Sequence, residues 1–317
     1  MNFSGFDFIS MNELGREDIE KIFQTADNIE RLLENGETLL TNKNIAILFY
    51  QPSTRTRLGF EAAGLKLGGN IFGFADPKVT RGGDYYQETL EDMIRVVDQL
   101  ADVIVIRHPE NNAAKIAASY AEAPVINAGD GNNHHPTQAL QDLYTMYREH
   151  GSLDNLSIGL VGDFKIRSFR SIIKGLGQFN LKKLFLVPAP NEGITDEVEQ
   201  MLKVASFDYE VHGTIDAVIP EIDVLELNGI NHPYRGTEYR TPDTHKVRLS
   251  ILDSARENLS ILHTMPRKDE LPTDIDRTPY NKYFKQVRYG LYIKMALITL
   301  VLGEEKTLEN KLKPVIL

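Results

Sequence analysis

The sequence predicts an α/β protein with two doubly wound parallel-sheet domains joined by helices. Short apolar runs of strand length alternate along the chain with stretches of helical periodicity, which is typical of buried parallel strands and their crossover helices. The chain has 317 residues, 42% of them hydrophobic and 25% charged. This size suits two domains of ordinary dimensions.

The apolar pattern gives the order of the elements. Residues 12–35 place apolar side chains at helical spacing, and residues 44–50 form a continuous apolar run of strand length. That run ends at Pro52, where a hydroxyl-rich segment and then renewed helical periodicity predict a strand, a turn and a helix start. Five further apolar runs predict strands at 103–106, 124–127, 158–162, 184–187 and 224–227.

A polar stretch at residues 148–156 separates a long helix from a new strand, and we place the domain boundary there. The first domain is then expected to cover residues 1–148 and the second residues 149–286. The last helix, about residues 287–303, is apolar enough to be buried. We expect it to pack back on the first domain.

Composition excludes several classes of function. A formal net charge of -10 opposes nonspecific binding to nucleic acid or to anionic membranes, because both need a basic surface. Without cysteine the chain has no disulfide, no thiolate nucleophile and no cysteine zinc site. The first residues do not form a secretory signal, and no apolar run reaches the ~18 residues of a membrane span. We expect a cytoplasmic protein.

The segment Ser53-Thr54-Arg55-Thr56-Arg57 brings three hydroxyls and two guanidiniums to the expected start of a helix. The N–H groups of a first helical turn lack intrahelical partners, so together these groups predict a site for an anion of phosphate size. A solvated helix cap with incidental arginines is the alternative.

Arg107 follows the predicted strand at 103–106, and open α/β sheets bind ligands at the carboxyl ends of their strands. A surface ion pair is the alternative for this residue. His135 and Gln138 lie three residues apart at a helix opened by Pro136, so their side chains should face the same way. Taken alone, His135 could equally be a helix cap or a core histidine.

Four motifs, STRTR, RHPE, HPTQALQDL and the late HTMPR, together resemble the aspartate/ornithine carbamoyltransferase family in order and spacing. The resemblance covers nearly the whole chain. It is closer to the aspartate branch, because the ornithine branch carries a cysteine in the late motif and this chain has none. It implies a carbamoyltransferase that moves the carbamoyl group of carbamoyl phosphate to the amino group of aspartate or a related amino acid and releases phosphate.

The resemblance also implies a homotrimer at minimum, with active sites shared between subunits. The N-terminal domain would bind carbamoyl phosphate and the C-terminal domain the amino acid. Met265–Pro266 is expected to be a cis peptide bond. The resemblance implies a role for each matching residue. Ser53, Thr54, Arg55 and Thr56 would form the carbamoyl-phosphate loop, Arg107 would contact the phosphate and the carbonyl, and the His135 imidazole would polarise the carbonyl. Gln138 would contact the carbamoyl amide, and the backbone carbonyls of Thr264 and Met265 would face the amine.

An uncharged amine that attacks the carbamoyl carbon creates a tetrahedral oxyanion, so donors aimed at that oxygen should dominate catalysis. We assign Thr56, Arg107 and His135 to the oxyanion. Ser53, Thr54, Arg55 and Arg107 are assigned to the phosphate. No metal or cofactor is expected, because the leaving phosphate can accept the amine proton. Holding both substrates in contact supplies much of the remaining acceleration.

The acceptor side departs from the family pattern. An Arg and a Gln that read the carboxylates of aspartate are replaced by Gly229 and Asn231, and loss of a bidentate Arg should cost roughly 2 to 5 kcal/mol of binding. Arg235 or Arg240 could substitute for that Arg. Arg167 matches the residue that holds the α-carboxylate.

Other substitutions lie around the same site. The place of a Lys lent to the neighbouring subunit holds Tyr86, and Lys78 or Arg81 could take over its role. Lys294 stands where the family has Arg, and Gln51 where it has Glu. The intact carbamoyl-phosphate motifs favour a changed amine over a dead enzyme. The alternatives are a carbamoyltransferase for a non-aspartate amine and a noncatalytic homologue that acts as a trimeric scaffold.

Overall fold

The computed structural model describes residues 1–83, 86–230 and 240–313. The chain divides into two compact units, one formed by Met1–Gln141 with the chain from Val287 onward and the other by Asp142–Gln286. Each unit contains one all-parallel sheet with helices, which confirms the predicted α/β class.

The strands in the described part of the chain are β1 (Asn44–Phe49), β2 (Asn70–Phe74), β3 (Val103–His108), β4 (Val125–Asp130), β5 (Ser157–Gly162), β6 (Lys183–Pro188), β7 (Tyr209–Val211), β8 (Val224–Leu227) and β9 (Ser260–His263). The α-helices are α1 (Arg16–Glu34), α2 (Thr54–Lys66), α3 (Leu90–Asp98), α4 (Ala113–Tyr120), α5 (Pro136–His150), α6 (Arg167–Leu176), α7 (Asp196–Val204), α8 (Leu249–Leu252), α9 (Tyr283–Val301) and α10 (Glu305–Leu312).

The order of the strands creates a crevice in each sheet. The first sheet has the order β2-β1-β3-β4 and the second β7-β6-β5-β8-β9. The chain therefore leaves β1 toward one edge and returns to the other side at β3, and it does the same around β5 and β8. Ligands in open α/β sheets bind outside the carboxyl ends of the strands at such reversals. Each unit thus has one expected binding position, at β1/β3 and at β5/β8.

The predicted strands correspond to six observed ones, β1, β3, β4, β5, β6 and β8, with ends that differ by up to three residues. Three strands were not predicted. β2 is a half-exposed edge strand interrupted by Gly73, β7 has only three residues, and β9 has only two apolar residues between Ser260 and His263, so none carries a strong apolar run. The first helix begins at Arg16, because Met11–Glu13 forms a separate 3₁₀ turn capped by the Ser10 hydroxyl.

Apolar side chains of each sheet pack under its helices. In the first unit Ala46, Ile104 and Val125 lie in one cluster with residues of α3 and α4. Gly64 lets α2 lie close over this sheet, since a Cβ there would be 2.3 Å from Cδ1 of Ile71. In the second unit β5, β6, β8 and β9 contribute to a separate cluster. No helix in the described ranges is long and apolar enough to cross a membrane.

Glu226 is a buried acid in the second sheet. It lies in β8 between Leu160 of β5 and Leu262 of β9, and 1% of its surface is exposed. Neither carboxyl oxygen has a hydrogen-bond partner among the described residues. Burial raises the pKa of Glu226 well above its ordinary value, and the nearby carboxylate of Asp142 raises it further. The fold therefore favours the neutral form of this side chain.

This acid makes the stability of the protein pH-dependent. Because its pKa is raised in the folded state, the free energy of unfolding falls as pH rises above the ordinary carboxyl pKa. Glu226→Gln removes the titrating group, so the wild type should lose up to about 1.4 kcal/mol per pH unit relative to this variant. Denaturant unfolding of both proteins from acidic to alkaline pH measures the difference.

Glu257 is an exposed acid of the same unit, and Glu257→Gln serves as the control. Its unfolding free energy should follow that of the wild type across the same pH range. If the free energies of unfolding of Glu226→Gln and the wild type differ by the same amount at every pH, Glu226 is not held in its neutral form by the fold.

Candidate active site

The carboxyl ends of β1 and β3 are held together at the crevice of the first sheet. Phe49 and Arg107 are paired across the two strands, and the backbone N–H of Tyr50 donates to the carbonyl oxygen of Arg107 over 2.9 Å. The segment that follows β1 therefore starts beside Arg107. Arg57, the last residue of the segment Ser53–Arg57, and Arg107 are 50 positions apart in the sequence. The sheet brings the segment and Arg107 to the same edge.

The segment after β1 forms the start of a helix, as predicted. Ser53 is the N-cap residue with extended backbone, and α2 begins at Thr54. The Ser53 side chain makes no capping hydrogen bond, so no N-cap hydroxyl competes with a ligand for the first-turn N–H groups. Thr56 is buried, and burial lowers the pKa of Arg55 from its ordinary value. The guanidinium remains a cation, because that ordinary value is far above neutral pH.

The side chain of Arg107 connects β3 to β4 and to the turn before α5. Its Nη1 donates to the carbonyl oxygen of Ala128 over 3.1 Å and lies 3.4 Å from Nε2 of His135. Arginine thus contacts the histidine that the sequence singled out. The structure thus has a cation at the carboxyl end of β3, next to a helix start, where the sequence predicts an anion site.

These contacts define the state of His135. A guanidinium can only donate hydrogen bonds, so the Nε2 that faces Arg107 must be the acceptor. The proton then lies on Nδ1, which is 3.3 Å from the Thr137 hydroxyl. His135 is buried and directly precedes α5. The contact with Arg107 therefore favours the neutral imidazole, a point that the sequence left open.

Two residues that the sequence did not single out shape the turn before His135. The amide of Asn127 accepts from the N–H of Gly129 over 2.8 Å and donates to Asp130 over 3.0 Å. Asp130 in turn accepts from the N–H of His134. Both side chains are buried at the end of β4. Gln138 is half-buried on the first turn of α5.

In the second unit, polar side chains join the carboxyl ends of β5, β8 and β9. Asn228 donates to the hydroxyl of Ser168 on α6, and the hydroxyl of Thr264 donates to Asn228 over 2.8 Å. Gly162 ends β5 with a φ of 145°, and a Cβ there would be 2.1 Å from the carbonyl oxygen of Asn228. This crossing requires glycine.

Arg167 is the first residue of α6 and is half-buried at the same edge. Thr264 and Met265 follow β9, and Met265–Pro266 is a cis peptide bond, as expected. Ser168 and Asn228 were not predicted. Both residues follow strands that end at the crevice, β5 and β8. A search of the sequence for polar residues after these two strands would have found them.

The residues that depart from the family pattern lie in varied surroundings. Gly229 is half-buried after β8, and among the described residues nothing would lie within 4 Å of a Cβ added there. Arg240 is exposed. Lys294 is buried and donates to Gln141 over 3.1 Å and to the carbonyl oxygen of Gly290 over 3.0 Å. Asn231 and Arg235 lie outside the described residues.

The candidate cations of the loop before α3 differ from each other. The guanidinium carbon of Arg81 lies 4.5 Å above the ring of Tyr86, the residue at the place of the family Lys. Lys78 is exposed, and its backbone N–H donates to Asp76 over 3.0 Å. The ring of Tyr86 thus holds the side chain of Arg81 in position. In the described part of the loop, no ring contact of this kind is seen for Lys78.

Family models match both halves of the chain. A model described as "Aspartate/ornithine carbamoyltransferase, carbamoyl-P binding domain" matches residues 7–148, and one described as "Aspartate/ornithine carbamoyltransferase, Asp/Orn binding domain" matches residues 154–301. The aspartate carbamoyltransferase catalytic subunit of Pyrobaculum arsenaticum is 40% identical over 310 residues, which covers 95% of this chain and 99% of that protein. The corresponding subunit of Korarchaeum cryptofilum is 42% identical over 306 residues, or 95% and 100% of the two chains.

Solved structures are similar to the whole fold. Aspartate transcarbamoylase from Trypanosoma cruzi in complex with carbamoyl phosphate and aspartate gives a TM-score of 0.87 at 31% identity, with 95% of this chain and 96% of that chain covered. The same enzyme in complex with N-(phosphonacetyl)-L-aspartic acid gives a TM-score of 0.83, also at 31% identity, with 95% and 97% covered.

Arg55 and Arg57 offer a matched test of the anion site. Arg57 donates to Glu61 over 2.6 Å, one turn along α2. Arg55→Ala should weaken binding of inorganic phosphate and carbamoyl phosphate by about 10- to 100-fold, because a charged hydrogen bond contributes about 1.5 to 3 kcal/mol. Arg57→Ala should change binding by less than about threefold, since partly exposed ion pairs contribute little. Titration calorimetry measures both, and equal losses would contradict the assignment.

Proposed function

The chain belongs to the aspartate/ornithine carbamoyltransferase family, and we propose that it transfers the carbamoyl group of carbamoyl phosphate to the amino group of aspartate. The observation that carries this proposal is the position of Arg107. It lies beside the open helix start after β1 and contacts His135 at the same crevice. The full-length similarity to aspartate carbamoyltransferase catalytic subunits supports it.

The first unit supplies the carbamoyl-phosphate side. Ser53, Thr54 and Arg55 would hold the phosphate, because the positive end of a helix and a guanidinium both favour an anion. Arg107 reaches the same place from β3 and shares this charge. The protein carries a net charge of -10, so the local cations must attract the substrate against the overall field.

The reaction then needs little chemistry from the side chains. The nitrogen lone pair of an uncharged amine forms a bond to the carbamoyl carbon, and the carbonyl oxygen becomes an oxyanion. When the C–O bond to phosphate breaks, the leaving phosphate takes the amine proton. Thr56 and Arg107 would donate to the oxyanion. His135 accepts from Arg107 in the neutral state, so its role in this arrangement is to orient the guanidinium.

The second unit would bind the amino acid. Arg167 at the start of α6 would hold the α-carboxylate, and Ser168, Asn228 and Thr264 line the carboxyl ends of the strands with hydroxyl and amide groups. Aspartate is the acceptor that the names of the relatives indicate. Gly229, in place of the family Arg, is the one observation that favours a second candidate, an amine other than aspartate.

We also propose a homotrimer with shared active sites. Leu58 and Leu65 are 48% and 63% exposed on one face of α2, and Tyr86 is 69% exposed in the loop before α3. Apolar surface of this kind is typical of subunit contacts. Arg81, stacked over Tyr86, would supply the cation that the family places in the neighbouring subunit's site. The cytoplasmic location stays a prediction.

The purified protein should release phosphate and form N-carbamoylaspartate from carbamoyl phosphate and aspartate. His135→Ala should lower kcat by about 10²- to 10³-fold, because Arg107 loses the contact that orients it toward the oxyanion. Phosphate release and mass spectrometry of the product, with ornithine and other amino acids in parallel, measure the specificity. Turnover with another amine alone would reject aspartate but keep carbamoyl transfer. No turnover with any amine would favour the noncatalytic scaffold.

Shared active sites can be tested by mixing inactive variants. Arg81→Ala should be inactive because the loop cation is lost, and Lys78→Ala serves as its control and should stay active. After Arg81→Ala and His135→Ala trimers are dissociated and mixed equally, about a quarter of the sites should combine an intact loop with an intact pocket. Activity that does not recover would contradict shared sites, and an inactive Lys78→Ala would move the role to Lys78.

A further inference from the structure

The segment that follows β9 has an unusual backbone. Thr264 still bonds to the sheet, since its N–H donates to the carbonyl oxygen of Leu227 over 3.1 Å. Met265 has a φ of 55°, in the left-handed region that non-glycine residues avoid. Such a conformation persists only where the surroundings hold it.

His263 holds the N–H of Met265. Its Nδ1 accepts from this N–H over 2.7 Å, and its Nε2 lies 2.9 Å from Oε1 of Glu270. Because Nδ1 accepts, the proton must lie on Nε2, which donates to Glu270. The imidazole is therefore neutral, with one tautomer selected by its two partners. His263 and Glu270 are both almost fully buried.

Glu270 is built to keep this tautomer. Its Oε1 also accepts from the backbone N–H of Lys268 over 2.8 Å. Burial alone would raise the pKa of Glu270, but the hydrogen bonds from His263 and Lys268 together lower it below its ordinary value. The carboxylate is thus an anion that can only accept. It orients the ring so that Nδ1 points at Met265.

Two further contacts fix the same segment. The N–H of His263 donates to Oε1 of Gln286 over 3.0 Å, and Gln286 donates to Asp142 over 2.6 Å. The hydroxyl of Thr264 donates to Asn228. All three backbone N–H groups from His263 to Met265 therefore have partners within the second unit.

Because the peptide unit is planar, fixing the N–H of Met265 also fixes the direction of the Thr264 carbonyl. The N–H of Met265 and the carbonyl of Thr264 belong to one rigid trans peptide unit and point opposite ways. Holding the N–H therefore aims the Thr264 carbonyl. Under the proposed function, this carbonyl accepts a hydrogen bond from the attacking amine and directs its lone pair at the carbamoyl carbon.

We propose that Glu270 and His263 are positioning residues for the acceptor amine, because together they fix the Met265 N–H and so the direction of the Thr264 carbonyl. This inference rests on the proposed function, since it needs an amine as the second substrate. It concerns neither phosphate nor oxyanion binding, which depend on residues of the first unit.

Two substitutions of Glu270 test this inference. Glu270→Ala removes the acceptor for Nε2–H and should lower kcat/KM for the amino acid by about 10- to 100-fold, the loss expected when a reacting group is misplaced. Glu270→Gln keeps an amide oxygen for His263 and Lys268 and should retain activity within about threefold. Binding of inorganic phosphate, measured by calorimetry, should be unchanged in both.

Asp223→Ala is the matched control. Asp223 is a buried acid of the same unit that accepts from the N–H of Ser157 and from Arg256 and Asn258, but it lies at the opposite, amino-terminal end of β8. Its loss should lower the melting temperature as Glu270→Ala does and leave kcat/KM unchanged. Steady-state kinetics with the acceptor varied, together with thermal unfolding, separate the two effects.

The outcomes are distinct. If Glu270→Ala keeps the kcat/KM of Asp223→Ala, or if Glu270→Gln is as impaired as Glu270→Ala, the inference is wrong. If Glu270→Ala does not fold, the apolar pair His263→Phe/Glu270→Leu removes the anchor without leaving an unpaired buried carboxylate, and it should show the same loss. A wild type without turnover would instead contradict the proposed function, because the inference fails only among variants of an active protein.

Discussion

The hydrogen bond between the end of β1 and the end of β3 is the contact on which the proposed carbamoyl-phosphate site depends. Because the Tyr50 N–H is tied to the Arg107 carbonyl, the helix that follows β1 starts next to the side chain that ends β3. Arg107 then extends the contact to β4 and His135. A parallel sheet places every carboxyl end at one edge, so the chain after β1, the end of β3 and the turn between β4 and α5 all lie at that edge.

The second unit also gathers its polar groups at the carboxyl ends of its strands, but these groups are mostly uncharged. The first crevice gathers cations and a helix start, which suit a dianionic substrate. The second gathers a hydroxyl and amide network through Ser168, Asn228 and Thr264, beside one arginine at the start of α6. Neutral groups of this kind suit an amine that must lose its charge before it reacts. Each unit thus has the electrostatic character that its half of the reaction requires.

Much of the first site could be predicted because its signals are local. The residues from Ser53 to Arg57 follow a strand and open a helix, and His135 precedes Pro136, so the sequence alone indicates where these groups lie. The neutral state of His135 could not be predicted, since it depends on Arg107 from another strand. The pairing of His263 with Glu270 depends in the same way on a turn of the folded chain. β2, β7 and β9 were missed because short or exposed strands leave a weak apolar pattern.

Gly229 has a consequence for how this protein can change. Among the described residues, nothing would contact a Cβ added at this position, and the residue is not held in a left-handed conformation. A mutation there meets no packing penalty, unlike one at Gly162, where the backbone of Asn228 leaves no room. Gly229 is therefore a position on the acceptor side where the described surroundings leave room for a larger side chain. Different side chains can be placed there and compared for their preferred amine without a clash with the described residues.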